Sequence, residues 1–100
     1  MDETELDVRL NKLTHPRVTV QSIEGKIESI DYVSVKADPN TVGTLCIITM
    51  KNGWVSTGFS APASPENFDP EIGKHYAYQK AFEPLWQLEG YLLKESLHRG

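Results

Sequence analysis

The sequence predicts an α+β fold: short N-terminal helices, a three-stranded antiparallel β-meander from about Tyr32 to Phe59, and a C-terminal helical region packed on one sheet face. Three observations carry that prediction. Leucines recur at helical spacing near the N-terminus, a β-branched and apolar stretch broken by Asn52-Gly53 fills the middle, and a long apolar stripe follows Asp69-Pro70.

Leu6, Leu10 and Leu13 are four and three apart, the spacing of a short amphipathic helix, with Thr4 as its N-cap and Thr14-His15-Pro16 as its end. Residues 1–16 therefore read as a loosely attached helix on a single domain spanning 1–100. Between Arg17 and Ile30 two patterns compete. Val18 and Val20 alternate like a strand, with Gly25 in a turn, whereas Val20, Ile23, Ile27 and Ile30 form a helical stripe; we favour a helix capped by Thr19.

Tyr32, Val33 and Val35 suit a pleated surface, so a strand is expected from about Asp31 to Ala37, with Asp38-Pro39-Asn40 as the turn that follows. Leu45 to Met50 is apolar on both alternating faces, as a central strand requires. Asn52-Gly53 tolerates the positive φ angles of a two-residue type I′ turn, and Trp54 to Phe59 supplies the return strand of a hairpin.

Ser64-Pro65-Glu66 and Asp69-Pro70-Glu71 both have the composition of helix starts: an oxygen to accept orphan N–H groups, a proline whose missing donor is harmless, and a carboxylate at the positive end. From the second start, Tyr78, Ala81, Leu85, Leu88 and Leu92 recur at three and four, flanked by Phe82, Trp86, Leu93 and Leu97. Pro84 removes a helical donor, which predicts a kink or a split near Glu83.

Composition narrows the function classes. At 100 residues, with 39% apolar and 24% charged residues, the chain has ordinary globular usage. A net charge of -4 with scattered basic residues argues against a dedicated nucleic-acid grip, which needs clustered Lys and Arg. Cys46 is the only cysteine, so no intrachain disulfide can form and a cytoplasmic setting fits. The acidic start Met1-Asp2-Glu3-Thr4-Glu5 is unlike a secretory signal, and the longest apolar run, Leu45 to Met50, is far too short for a membrane span.

Three blocks then stand out in order: Lys51-Asn52-Gly53-Trp54-Val55-Ser56-Thr57-Gly58, Pro65-Glu66-Asn67-Phe68-Asp69-Pro70-Glu71-Ile72-Gly73, and Leu85-Trp86-Gln87-Leu88-Glu89-Gly90-Tyr91-Leu92-Leu93. Together they resemble a family of small tailed-phage proteins, represented by gene product forty-nine of an enterobacterial lytic phage and protein sixty-six of a Shigella phage. The resemblance runs from about Arg17 to Leu93 and departs from the family pattern at Val20, Phe59 and Pro84. It implies phage origin and an accessory role in an infected cell, and it brings no catalytic residue to carry over.

No residue set points to catalysis. Cys46 and Ser56 are the candidate nucleophiles and His15, His75 and His98 the candidate bases, but no spacing pairs them, and Cys46 lies in the most apolar strand. Glu71 and His75, four apart, are the best metal pair, with Glu66 or Asp69 as further ligands; capping and the helix dipole already account for Asp69 and Glu71. No phosphate-cradling glycine loop is present. We therefore expect no enzyme activity, no metal and no cofactor.

The residues that suggest contact with another molecule are Lys51, Trp54 and Phe59, a cation and two large rings at the margin of the sheet. The expected partner is a host or phage protein, or a second copy in a homodimer, using the face or edge that an antiparallel sheet leaves wet. The expected role is that of a non-enzymatic phage accessory protein modulating a host factor. A nucleic-acid-associated module using Lys51 and Trp54 is the alternative, and a small metal-dependent enzyme using Glu71 and His75 a further one.

Overall fold

Why each element begins where it does is largely a matter of capping. The computed structural model describes all 100 residues. Helix α1 (Glu3–Asn11) is capped by Asp2, whose carboxylate accepts from the Glu5 N–H at 2.7 Å. The cap is thus two residues earlier than the Thr4 expected from sequence, because a carboxylate at Asp2 reaches the third helical N–H. No residue of α1 is buried.

Helix α2 (Val20–Glu24) begins at Thr19 as expected, and Thr19 and Ser22 exchange side-chain bonds in a capping box. It ends after five residues, so the expectation of a helix through Ile30 is corrected. Strand β1 (Ile27–Asp38) takes Ile27 and Ile30 instead and pairs Ile30 with Ile48 of β2 (Thr41–Met50). Gly25 weakens helix propagation at this point, and the β-branched isoleucines beyond it gain ladder bonds.

The sheet is an antiparallel meander in the order β1-β2-β3, with β3 at Val55–Ser60. Tyr32 lies opposite Cys46, and Cys46 opposite Gly58; Val33 lies opposite Leu45, and Leu45 opposite Phe59. The hairpin from β2 to β3 forms as predicted, but through a different turn. The Gly53 N–H donates to the Met50 carbonyl at 2.9 Å and the Met50 N–H to the Trp54 carbonyl at 2.8 Å. Within this turn Gly53 has a positive φ, +90°, and Asn52 does not. The connection is therefore a type I turn followed by a left-handed glycine, a three-residue loop rather than the two-residue type I′ turn.

Ser64-Pro65-Glu66 starts only a single 3₁₀ turn (Pro65–Asn67), because Phe68 is extended and Asp69 caps the next helix. Helix α3 (Pro70–Arg99) opens with Asp69 accepting from Glu71 and Ile72. It runs 30 residues through Pro84 without a break, which corrects the expected split. Pro84 is exposed, and small and apolar residues on either side of it, Ala77, Ala81 and Leu85, are pinned to the sheet. The helix is held by that packing rather than by the one donor it lacks.

The core is Ile23, Cys46, Ile48, Met50, Ala77, Ala81, Phe82 and Leu85. The expected stripe on α3 thus buries only as far as Leu85, while Leu88 and Leu92 are exposed. At about 1.5 Å per residue α3 is roughly 45 Å long, whereas six-residue β3 spans about 20 Å, so the helix overhangs the sheet. Trp86, on the flanking stripe, sits at the core margin with an edge against Phe82.

The tightest contact of the fold is at Gly58. A methyl there would lie 2.8 Å from the Lys80 carbonyl carbon and closer still to backbone atoms of Ala77 and Ala81. Beside it the buried Ser56 hydroxyl donates to the Ala81 carbonyl at 2.7 Å. Gly58→Ala must push a helix backbone off the sheet, and is expected to cost about 3 kcal/mol or more in chemical denaturation. Gly90→Ala in the same helix, where nothing lies within 4 Å, serves as the control and should stabilise slightly.

Candidate interaction surfaces

The hairpin tip and the overhanging half of α3 form the two walls of a groove of about 450 Å³. Met50 and Trp54 come from the hairpin, Leu88, Tyr91 and Leu92 from α3, and Lys51 stands at the rim. The Trp54 N–H donates to the Asn52 side-chain oxygen at 2.9 Å, which fixes the turn that carries the ring. Its side chain is 54% exposed, as its place after a tight turn suggests. An ion pair between Lys26 and Glu89 ties the start of β1 to α3 at the groove.

Lys51 and Trp54 therefore share one site, but Phe59 does not. Side chains alternate along a strand, and Phe59, paired with Leu45, points to the sheet face away from α3. There its ring lies over Gly43, where a methyl would come within 2.5 Å of it. With Val33, Leu45, Ile47 and Val55 it forms a face three strands wide, interspersed with Asp31, Thr49 and Thr57, on the side of the sheet opposite α3. The odd residue separation of Trp54 and Phe59 was the sequence signal that they diverge. The exposed Leu88, Tyr91 and Leu92 were missed as surface residues because their periodicity matches that of the buried stripe.

The other candidates are scattered. Cys46 is wholly buried between the sheet and α3. Burial pushes its thiol above the ordinary value, Tyr32 opposes the shift, and Asp31 adds to it. Burial likewise raises the Tyr32 hydroxyl, with Cys46 adding to the effect, and raises Tyr78, with Glu24 adding. Lys74 stands 5.7 Å from the centre of the Tyr32 ring and links α3 to β1. His75 is exposed, 3.3 Å from the Gln79 amide nitrogen, while Glu71 is 3.9 Å from Lys74. No group of three or more His, Cys, Asp or Glu side chains is placed to hold a metal ion.

The family model described as phage protein (N4 Gp49/phage Sf6 gene 66) family matches residues 18–97. The chain belongs to that family. The matched region contains the sheet, the groove and the open face, while α1 lies before it. No curated protein and no solved structure matches the chain. No helix is long and apolar enough to cross a membrane.

Two measurements follow from this geometry. Trp54→Ala removes a ring that is more than half exposed, and should lower stability by about 1 kcal/mol or less. The raised groups act at high pH. The folded state holds the Cys46, Tyr32 and Tyr78 protons more tightly than the unfolded chain does, so their contribution is complete below the unfolded values. It is lost as pH rises through the folded ones, beginning with the thiol, whose free value is about 8.5. Unfolding midpoints should fall from about pH 8.5 upward, and Cys46→Ala should flatten the first part of that fall.

Proposed function

We propose that the protein is a non-enzymatic accessory protein of a phage that acts by binding another protein, a host factor whose activity it alters. The observation that carries this reading is the open sheet face. A sheet covered on one side by a helix ordinarily leaves a wet, polar second side. Here that side presents Val33, Leu45, Ile47, Val55 and Phe59, with Asp31, Thr49 and Thr57 among them, and large apolar side chains grouped on one open face of a small chain mark a contact surface.

Membership in a phage family supports action in an infected cell, with the bacterial cytoplasm as the setting. The net charge of -4 supports a protein partner over nucleic acid, since phosphate binding draws on clustered cations. The buried, protonated Cys46 and the separated histidines support a binding role over catalysis.

The reading is tested by affinity capture from a host lysate with a nuclease-treated control alongside, comparing the tagged wild type with a Val33→Lys, Val55→Lys double variant. Both valines are about half exposed, so circular dichroism should show the variant folded. A stoichiometric host protein retained by the wild type and lost by the variant is the expected result. Equal retention by the variant, or recovery of nuclease-sensitive material alone, would overturn it.

A further inference from the structure

Helix α1 is well capped yet buries no residue. It has nine residues, all but one of them exposed, and Leu6, Val8 and the following Leu13 face water. A helix this short is not stable by itself in water, where about 12–15 residues are needed even for alanine-rich sequences. Its helical state therefore calls for a surface to lie on.

The groove between the hairpin and α3 has the complementary chemistry. Its walls are Met50, Trp54, Leu88, Tyr91 and Leu92, the last four all exposed, and Lys51 stands free of any ion pair. On α1, Leu6 and Leu10 share one face, and Asp2, Glu3, Glu5 and Asp7 surround it with negative charge. Its single arginine, Arg9, is already paired with Glu5 at 3.1 Å. An acidic helix with an apolar face thus complements an apolar groove whose one uncompensated charge is Lys51, Lys26 being paired with Glu89.

We propose that α1 of one copy docks in the groove of a second copy, whose α1 docks in return, giving a two-fold homodimer by exchange of arms. The chain does not fill its own groove: Leu6 and Leu13 of the arm and Trp54, Tyr91 and Leu92 of the groove are exposed in the same molecule, while Leu10 is half-buried. The six residues Lys12–Arg17, between the end of α1 and Val18 on the core, reach about 20 Å when extended, and Pro16 favours extension over folding back. Area also selects reciprocity. One short helix in a groove falls well below the roughly 1,600 Å² of a stable interface, and two-fold exchange doubles it. This surface is separate from the open sheet face, so the proposal stands or falls independently of the partner named above.

Sedimentation equilibrium of the full chain should give twice 11.3 kDa at high concentration, and Leu6→Glu with Leu10→Glu should return it to 11.3 kDa. Each leucine should weaken association about tenfold or more. Val33→Lys with Val55→Lys should leave the dimer intact. To identify the arm, a chain carrying Leu10→Cys is mixed with one carrying Leu88→Cys and treated with a flexible bismaleimide; Cys46 is buried and stays silent. Covalent pairing of the unlike chains is expected. A monomer at all concentrations, a dimer that survives the two glutamates, or linkage only within a chain carrying both cysteines would overturn the proposal.

Discussion

The contact on which the rest of the molecule depends is that of the α3 backbone with Gly58. Because Gly58 has no side chain and Ala77 and Ala81 have small ones, the helix axis comes closer to β3 than a helix and sheet with ordinary side chains between them would allow. The Ser56 hydroxyl, donating to the Ala81 carbonyl, fixes the helix along the strand as well as against it. That leaves Cys46, Ile48 and Met50 on β2 to be filled by Phe82 and Leu85, with Ile23 of α2 closing the same cluster. Once Asp69 sets the first turn and Gly58 sets the depth, the course of the remaining 30-residue helix follows, including its overhang beyond the sheet.

The overhang explains the shape. The molecule measures 54 × 35 × 17 Å, so it is only about two layers thick, and its radius of gyration of 16.9 Å exceeds the roughly 13 Å usual for this length. A thin body has few wholly interior positions, and here they are used up by the eight apolar residues under α3. Among the remaining apolar side chains, two sets lie together on the surface, the groove on the helix side of the sheet and the face around Phe59 on the other, while others such as Ile72, Tyr76 and Leu97 are exposed elsewhere. Scattered exposed leucines would call for no explanation; contiguous ones do.

Much of this was legible in the sequence. Asp69-Pro70 and Thr19 cap as their chemistry requires, Cys46 is buried as a small hydrophobe, and the hairpin around Gly53 was evident from its flanking strands. What could not be read depended on contacts made elsewhere. Ile23, Ile27 and Ile30 satisfy a helical period and a buried strand about equally, and the decision rests with β2, whose outer edge needs a partner for its ladder. The stripe from Ala81 to Leu92 is continuous in sequence, but where it stops being core is set by the length of β3, a property of another segment. Pro84 fell to the same tertiary override, since packing before and after it outweighs one missing hydrogen bond.

The two apolar surfaces also differ in what can reach them together. The groove lies on the α3 side of the sheet at the hairpin tip, and the Phe59 face lies on the opposite side, so the strands themselves separate the two sites. An arm seated in the groove does not compete with a protein docked on the open face. In a dimer joined through the grooves, both open faces stay available, and a two-fold or repetitive target would meet them as a linked pair. The second contact would then be intramolecular, with an effective concentration set by the spacing of the faces rather than by the abundance of the protein. For a small chain with a limited contact surface, that is a physical route to tight binding that requires no further residues.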